Sequence, residues 1–139
     1  MSKQTSFYLP VGANNQSITL TSADTTTLKT CFTAATEDSD VKSIIATTDD
    51  SAIINLRLYV TRSSVDYLLG TVRLAALSGS DGAVNGVDLL NGIAMPGLPA
   101  DNIGKRYIPL KSGDTLKVAC VASMTAAKTC WVSVFGQNY

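Results

Sequence analysis

Ala52-Ile53-Ile54-Asn55-Leu56-Arg57-Leu58-Tyr59-Val60-Thr61 alternates apolar and polar side chains. Ile54, Leu56, Leu58 and Val60 share one face and Asn55, Arg57 and Tyr59 the other, which is the period of two that a pleated backbone imposes. A strand of this kind belongs to a sheet with one buried and one solvated face. The same pattern recurs on both sides of it. Ser17 to Leu20, Leu28 to Ala34 and Val41 to Thr47 precede it, and Tyr67 to Ala76, Tyr107 to Leu110, Thr115 to Ser123 and Thr129 to Gly136 follow, with polar turns between them. In Tyr67 to Ala76 the residues expected to face inward are Leu68, Val72 and Leu74, with Gly70 as a bulge or close-approach point. The last two segments read as an antiparallel hairpin around Met124 to Lys128.

About eight short strands spaced near ten residues apart predict an all-β fold: a single-domain antiparallel β-sandwich of jelly-roll type, with a lipocalin-like barrel as the competing architecture. The domain spans 16–139 and follows an extended N-terminal arm at 1–15, punctuated by Pro10, Gly12, Asn14 and Asn15. Six of the ten glycines and two prolines fall between Ser78 and Gly104, which marks 78–104 as a long loop, with one helical turn expected at Val87 to Asn91.

Composition agrees. Sixteen Thr and fourteen Ser accompany many Val and Ile, while the acids are ten Asp and a single Glu, Glu37, so strong helix formers are scarce. At 139 residues the chain is long enough to bury one core without staples. Zero net charge and 16% charged residues do not fit a nucleic-acid-binding protein, and no run of eighteen apolar residues offers a membrane span. Residues 1 to 52 carry −3 and 103 to 139 carry +4. That imbalance either polarises the molecule or is neutralised between paired strands.

Histidine is absent, which removes imidazole-based triads and histidine zinc sites. Cys31, Cys120 and Cys130 sit inside apolar or alternating runs, outside any CxxC pattern, and read as buried free thiols; a Cys120–Cys130 bridge requires their strands to form a hairpin. Met1 to Ser6 is polar and Phe7 to Val11 is short and broken by Pro10, so no secretory leader is expected and a reducing cytoplasm fits.

The candidate sites each have a plainer reading. Glu37, Asp38 and Asp40 with Asp49 and Asp50 would resemble a calcium cluster if they met at one end of the sandwich, but Asp also favours turns and no EF-hand pattern is present. Gly79 to Gly86 has no Gly-Lys-Ser or Gly-Lys-Thr and fits a surface loop better than a phosphate cradle. Ser63, Ser64 and Ser112 have no imidazole base. Tyr59, Tyr67, Tyr107, Trp131 and Phe135 offer either a sugar-stacking platform or sheet packing. No catalytic residue, cofactor or metal is expected, and an enzyme would need an Asp or Lys mechanism.

Several features together resemble the small capsid cement, or decoration, proteins of tailed bacteriophages. These are the polar arm, the Ser/Thr/Ala-rich β-domain, and the C-terminal pattern Arg106-Tyr107-Ile108-Pro109-Leu110, Gly113-Asp114-Thr115-Leu116-Lys117-Val118 and Trp131 to Tyr139. The resemblance implies a jelly-roll or related domain made in the host cytoplasm, which sits as a homo-oligomer, dimer or trimer, on the outer capsid surface of the virion. There it would bridge neighbouring subunits of the major capsid protein and stiffen the shell, with neither nucleic acid nor membrane as partner. The arm anchors Phe7, Tyr8, Leu9 and Pro10 would form the interface by adding to a neighbour's sheet edge. The alternatives are a carbohydrate- or receptor-binding module and a low-copy head-completion or tail component.

Overall fold

A computed structural model describes residues 12–91 and 94–139. Nine strands form two antiparallel sheets: β1 (Gly12–Thr21), β2 (Lys29–Thr33), β3 (Ser39–Thr48), β4 (Ile54–Arg62), β5 (Val65–Leu74), β6 (Val87–Asp88), β7 (Ile108–Leu110), β8 (Thr115–Cys120) and β9 (Thr129–Asn138). The first sheet runs β1-β9-β3-β6, with β7 also on β3, and the second runs β2-β8-β4-β5. The two pack face to face as a sandwich.

The pairings are nested. β4 pairs with β5, β3 with β6 and β7, β2 with β8, and β1 with β9, as if one long hairpin with its tip at Ser63–Ser64 were rolled up; β3–β9 and β4–β8 pairing then closes each sheet. The tip is tight because Ser63 and Ser64 both take positive φ, the geometry that matches strand twist in a two-residue hairpin. Inward residues interdigitate between the sheets: Ile54, Leu56, Leu58 and Val60 from β4, Leu116 and Val118 from β8, Ile44 and Ala46 from β3, and Cys130, Val132 and Val134 from β9, with Phe32 fully buried among them.

Register shifts keep the pattern in phase. Lys42 is the extra residue between Val41 and Ser43, so that Ile44 rather than Ser43 turns inward. Leu69 plays the same part opposite Leu58 and Tyr59. It sends Leu68 to the outer face, 53% exposed, so of the three residues expected inside β5 only Val72 and Leu74 are buried. Gly70 beside it is a close approach, where a Cβ would lie 2.9 Å from Met95 Cγ and 3.0 Å from the Ala94 carbonyl.

Three expectations need correction. β8 and β9 are not a hairpin: β8 lies between β2 and β4, β9 between β1 and β3, and residues 121–128 cross from one sheet to the other. Alternation in a strand specifies which face is buried, not which strand lies beside it. The arm does not extend to residue 15, because Gly12 to Asn15 already pair with Asn138 to Phe135. Val87–Asp88 is a two-residue strand against Ile45 and Ala46, not a helical turn; Asp88 accepts from Leu90 N and Asn91 Nδ2, which turns the chain immediately after it. Within 78–104, the packed excursion that a long loop in a compact domain implies is present, since Leu89, Leu90 and Met95 are buried in the core.

Candidate functional site

One end of the sandwich collects the root of the arm. Gly12 pairs with Asn138, Ser39 pairs with both Asn138 and Leu110, and the β4–β5 tip lies at the same end. Ser39 Oγ donates to Asn138 Oδ1 at 2.8 Å, and Asn14 Nδ2 donates to the same oxygen at 3.1 Å, which fixes three strand ends together. Beside them opens a groove of ≈ 820 Å³ lined by Glu37, Asp38, Asp40, Arg62, Leu110 and Tyr139, among others.

The groove walls are ordered by charge-assisted contacts. Tyr139 Oη donates to Asp40 Oδ2 at 2.6 Å, and Lys42 Nζ lies 3.5 Å from the same oxygen and 4.8 Å from the Tyr107 ring centroid. Burial, then the hydrogen bond to Asp40, push the Tyr139 hydroxyl above its ordinary pKa of 10.0. Asp114, only 4% exposed, takes Arg62 Nη2 at 2.9 Å, Arg62 Nε at 3.0 Å and Lys111 N at 3.1 Å. All three meet on Oδ2, so one guanidinium and a turn amide offset the burial of this carboxylate. Asp38 accepts from Ser112 N, and Tyr139 N donates to the Asp38 carbonyl. Charges of both signs line the groove, Glu37, Asp38 and Asp40 with Arg62 and Lys111, around the apolar Pro109 and Leu110.

The structure separates the acids that the sequence offered as one cluster. β3 carries Asp40 at one end, while Asp49 and Asp50 follow its other end, about 30 Å away at strand rise. Among the described residues no group of three or more His, Cys, Asp or Glu could hold a metal ion. Asp49 and Asp50 serve the opposite end: Asp49 Oδ1 accepts from Thr129 N at 2.7 Å, and Asp50 accepts from Ala52 N, Thr125 N and Thr125 Oγ1 at 2.9 to 3.0 Å.

The other candidates disperse as well. Gly79 to Gly86 closes on itself through Gly79 N to the Val84 carbonyl and packs Gly79 against Thr47. Tyr59 and Tyr67 belong to the second sheet and Trp131 and Phe135 to the first, so the five aromatics make no common platform. Trp131 and Phe135, each 42% exposed, do share the outer face of β9, flanked by Thr19, Ser17, Thr47 and Ile45. Ser63 and Ser64 form the hairpin tip. All three cysteines are buried and free; burial pushes the Cys31 and Cys130 thiols up to about 12, which leaves them inert. Phe7, Tyr8, Leu9 and Pro10 lie outside the described residues. Among the described residues no helix is long and apolar enough to cross a membrane.

What sequence reasoning missed is the way the sheets close at one side. Gln16 presents its side-chain amide to β2 as a strand would: Nε2 donates to the Thr33 carbonyl and Oε1 accepts from Thr33 N, both at 3.0 Å. Lys29 Nζ, reaching back, donates to the Thr19 carbonyl at 2.7 Å. A polar Gln at an inward position of β1 was the available signal. No family model, curated protein or solved structure matches this chain.

Proposed function

We propose that the protein is a structural virion component that binds the outer surface of a phage capsid and bridges neighbouring major capsid subunits, with the N-terminal arm as its clasp. The single observation behind this reading is the anchoring of the arm's root. Its chain runs directly into a ten-residue strand laddered along its length to β9, a central strand of the first sheet. A pull along β1 loads that row of perpendicular hydrogen bonds together instead of peeling them one at a time. The Gln16–Thr33 clamp passes the load into the second sheet. An arm held this way suits a protein that holds other subunits under tension, and several weak clasps in an oligomer add up through effective concentration. The nested strand order, a five-strand and a four-strand layer from one rolled hairpin, supports the jelly-roll form of the sandwich.

The test is a truncation placed by the structure. Removing residues 1–11 is expected to leave circular dichroism unchanged while abolishing co-sedimentation with capsid shells, which the full chain joins in near-stoichiometric amount. Removing residues 1–15 takes four ladder positions as well and should destabilise the domain. A 1–11 truncation that still co-sediments at full occupancy defeats the clasp.

A second reading, a carbohydrate-binding module, is favoured by Trp131 and Phe135 on their hydroxyl-flanked face. It predicts glycan-array binding that disappears in Trp131→Ala. Absence of array binding by the full chain rejects it.

A further inference from the structure

The two sides of the sandwich treat their edge strands differently. β1 and β2 are lashed together by Gln16, Thr33, Lys29 and Thr19. On the other side of the first sheet the edge strands β6 and β7 are only two and three residues long. β5 is ten residues long, and among the described residues its backbone makes no hydrogen bond beyond the ladder with β4. It also carries exposed apolar side chains in sequence: Val65 at 49%, Tyr67 at 53% and Leu68 at 53%. A long apolar edge is a template for another strand, and the Leu69 bulge that would turn most strands away is matched by a partner that carries the same bulge.

We infer that β5 pairs with β5 of a second copy of this chain, antiparallel about a two-fold axis between Leu69 and Gly70, so that the two four-stranded sheets become one of eight. Charge and facing select that register. The Leu69 bulge puts Asp66 and Leu68 on the same outer face as Thr71 and Arg73, as their partners Thr61, Tyr59, Arg57 and Asn55 show. With the axis so placed, Asp66 lies opposite Arg73 of the second copy twice, Leu68 opposite Thr71, and on the other face Tyr67 opposite Val72. Facing parity survives only because both strands carry the bulge. Asp66 uses Oδ1 for Thr61 and Lys117, leaving Oδ2 free for the guanidinium among the described residues, and Arg73 has no ion pair among them. An isologous contact of this kind closes at two copies and leaves no second edge to propagate. The arm root on β1 belongs to the other sheet, so it stays available in the dimer.

This deepens the self-association part of the proposed function, and its test uses the full chain without any capsid, so each can fail alone. Sedimentation velocity from micromolar to submillimolar concentration should show a monomer–dimer equilibrium. Asp66→Arg and Arg73→Asp, each placing like charges opposite one another twice, should weaken the dimer about tenfold or more, and the double reversal should restore it. Native hydrogen exchange should show β5 amides gaining protection as concentration rises. A monomer at every concentration, a trimer, single reversals without effect, or a double reversal that stays monomeric would each overturn the pairing.

Discussion

The two ends of the sandwich are built from the same side chain and use it in opposite ways. At the end where β3 runs into β4, Asp50 is 1% exposed and its carboxylate is consumed internally by Ala52 and Thr125, while its carbonyl accepts from Leu77 N. One residue thereby ties the β3–β4 turn, the segment after β5 and the crossing between β8 and β9. At the arm end Glu37, Asp38 and Asp40 line an open groove and share it with Arg62 and Tyr139. Three donors converge on the Asp50 carboxylate, whereas Asp38 takes a single backbone N–H, from Ser112, and Asp40 takes the Tyr139 hydroxyl.

The sharpest break of that contrast is Asp50→Ala. Loss of three part-buried hydrogen bonds should cost about 3 kcal/mol in urea unfolding, while the capsid co-sedimentation proposed for the arm stays unchanged in the folded fraction. Acid tests the same residue. Burial pushes the Asp50 carboxyl up, but the amides of Ala52 and Thr125, the Thr125 hydroxyl and the charge of Lys128 hold it net below 3.8. A carboxyl lower in the fold than in the unfolded chain stabilises above its unfolded value, and that contribution is lost as pH falls through the folded value. Stability should therefore drop below about pH 4, with a shallower drop in Asp50→Ala. An unchanged acid profile would remove Asp50 from its role.

The smaller effect belongs to the arm end. Tyr139→Phe removes one donor to Asp40 and should cost about 1 kcal/mol. The sign of its pH dependence is reversed. A hydroxyl whose folded pKa exceeds 10.0 adds stability that is complete below pH 10 and is lost as pH rises through the folded value. Alkaline unfolding of the full chain should show that slope on top of the one from the buried Cys31 and Cys130 thiols, and Tyr139→Phe should show a shallower one. Asp50→Ala in acid and Tyr139→Phe in alkali thus probe the two ends separately, and a variant that altered both profiles would mean that the ends are not independent.

Much of the fold could be read from local pattern. The alternation in Ile54 to Val60, Leu116 to Cys120 and Cys130 to Val134 gave strand type and buried face, because a side chain's face follows from parity alone. Gly70 signalled both its bulge and its close approach. The partner of each strand was not legible. Thr115–Cys120 and Thr129–Asn138 look like neighbours in sequence, yet each pairs with strands from the first half of the chain. For the same reason the −3 and +4 thirds are interleaved rather than set at opposite ends. The acidic cluster was legible in composition and wrong in space, since ten residues of β3 keep its halves apart.

The order of residues by itself determined that this chain would be sheet, which side of the Ile54 to Val60 strand would be dry, and that no imidazole chemistry was available to it. The tertiary structure alone decided which aspartates became mortar and which line a groove, which edge was sewn shut and which was left open. Those outcomes depend on contacts between residues far apart along the chain, and rolling the long hairpin is what brings them together.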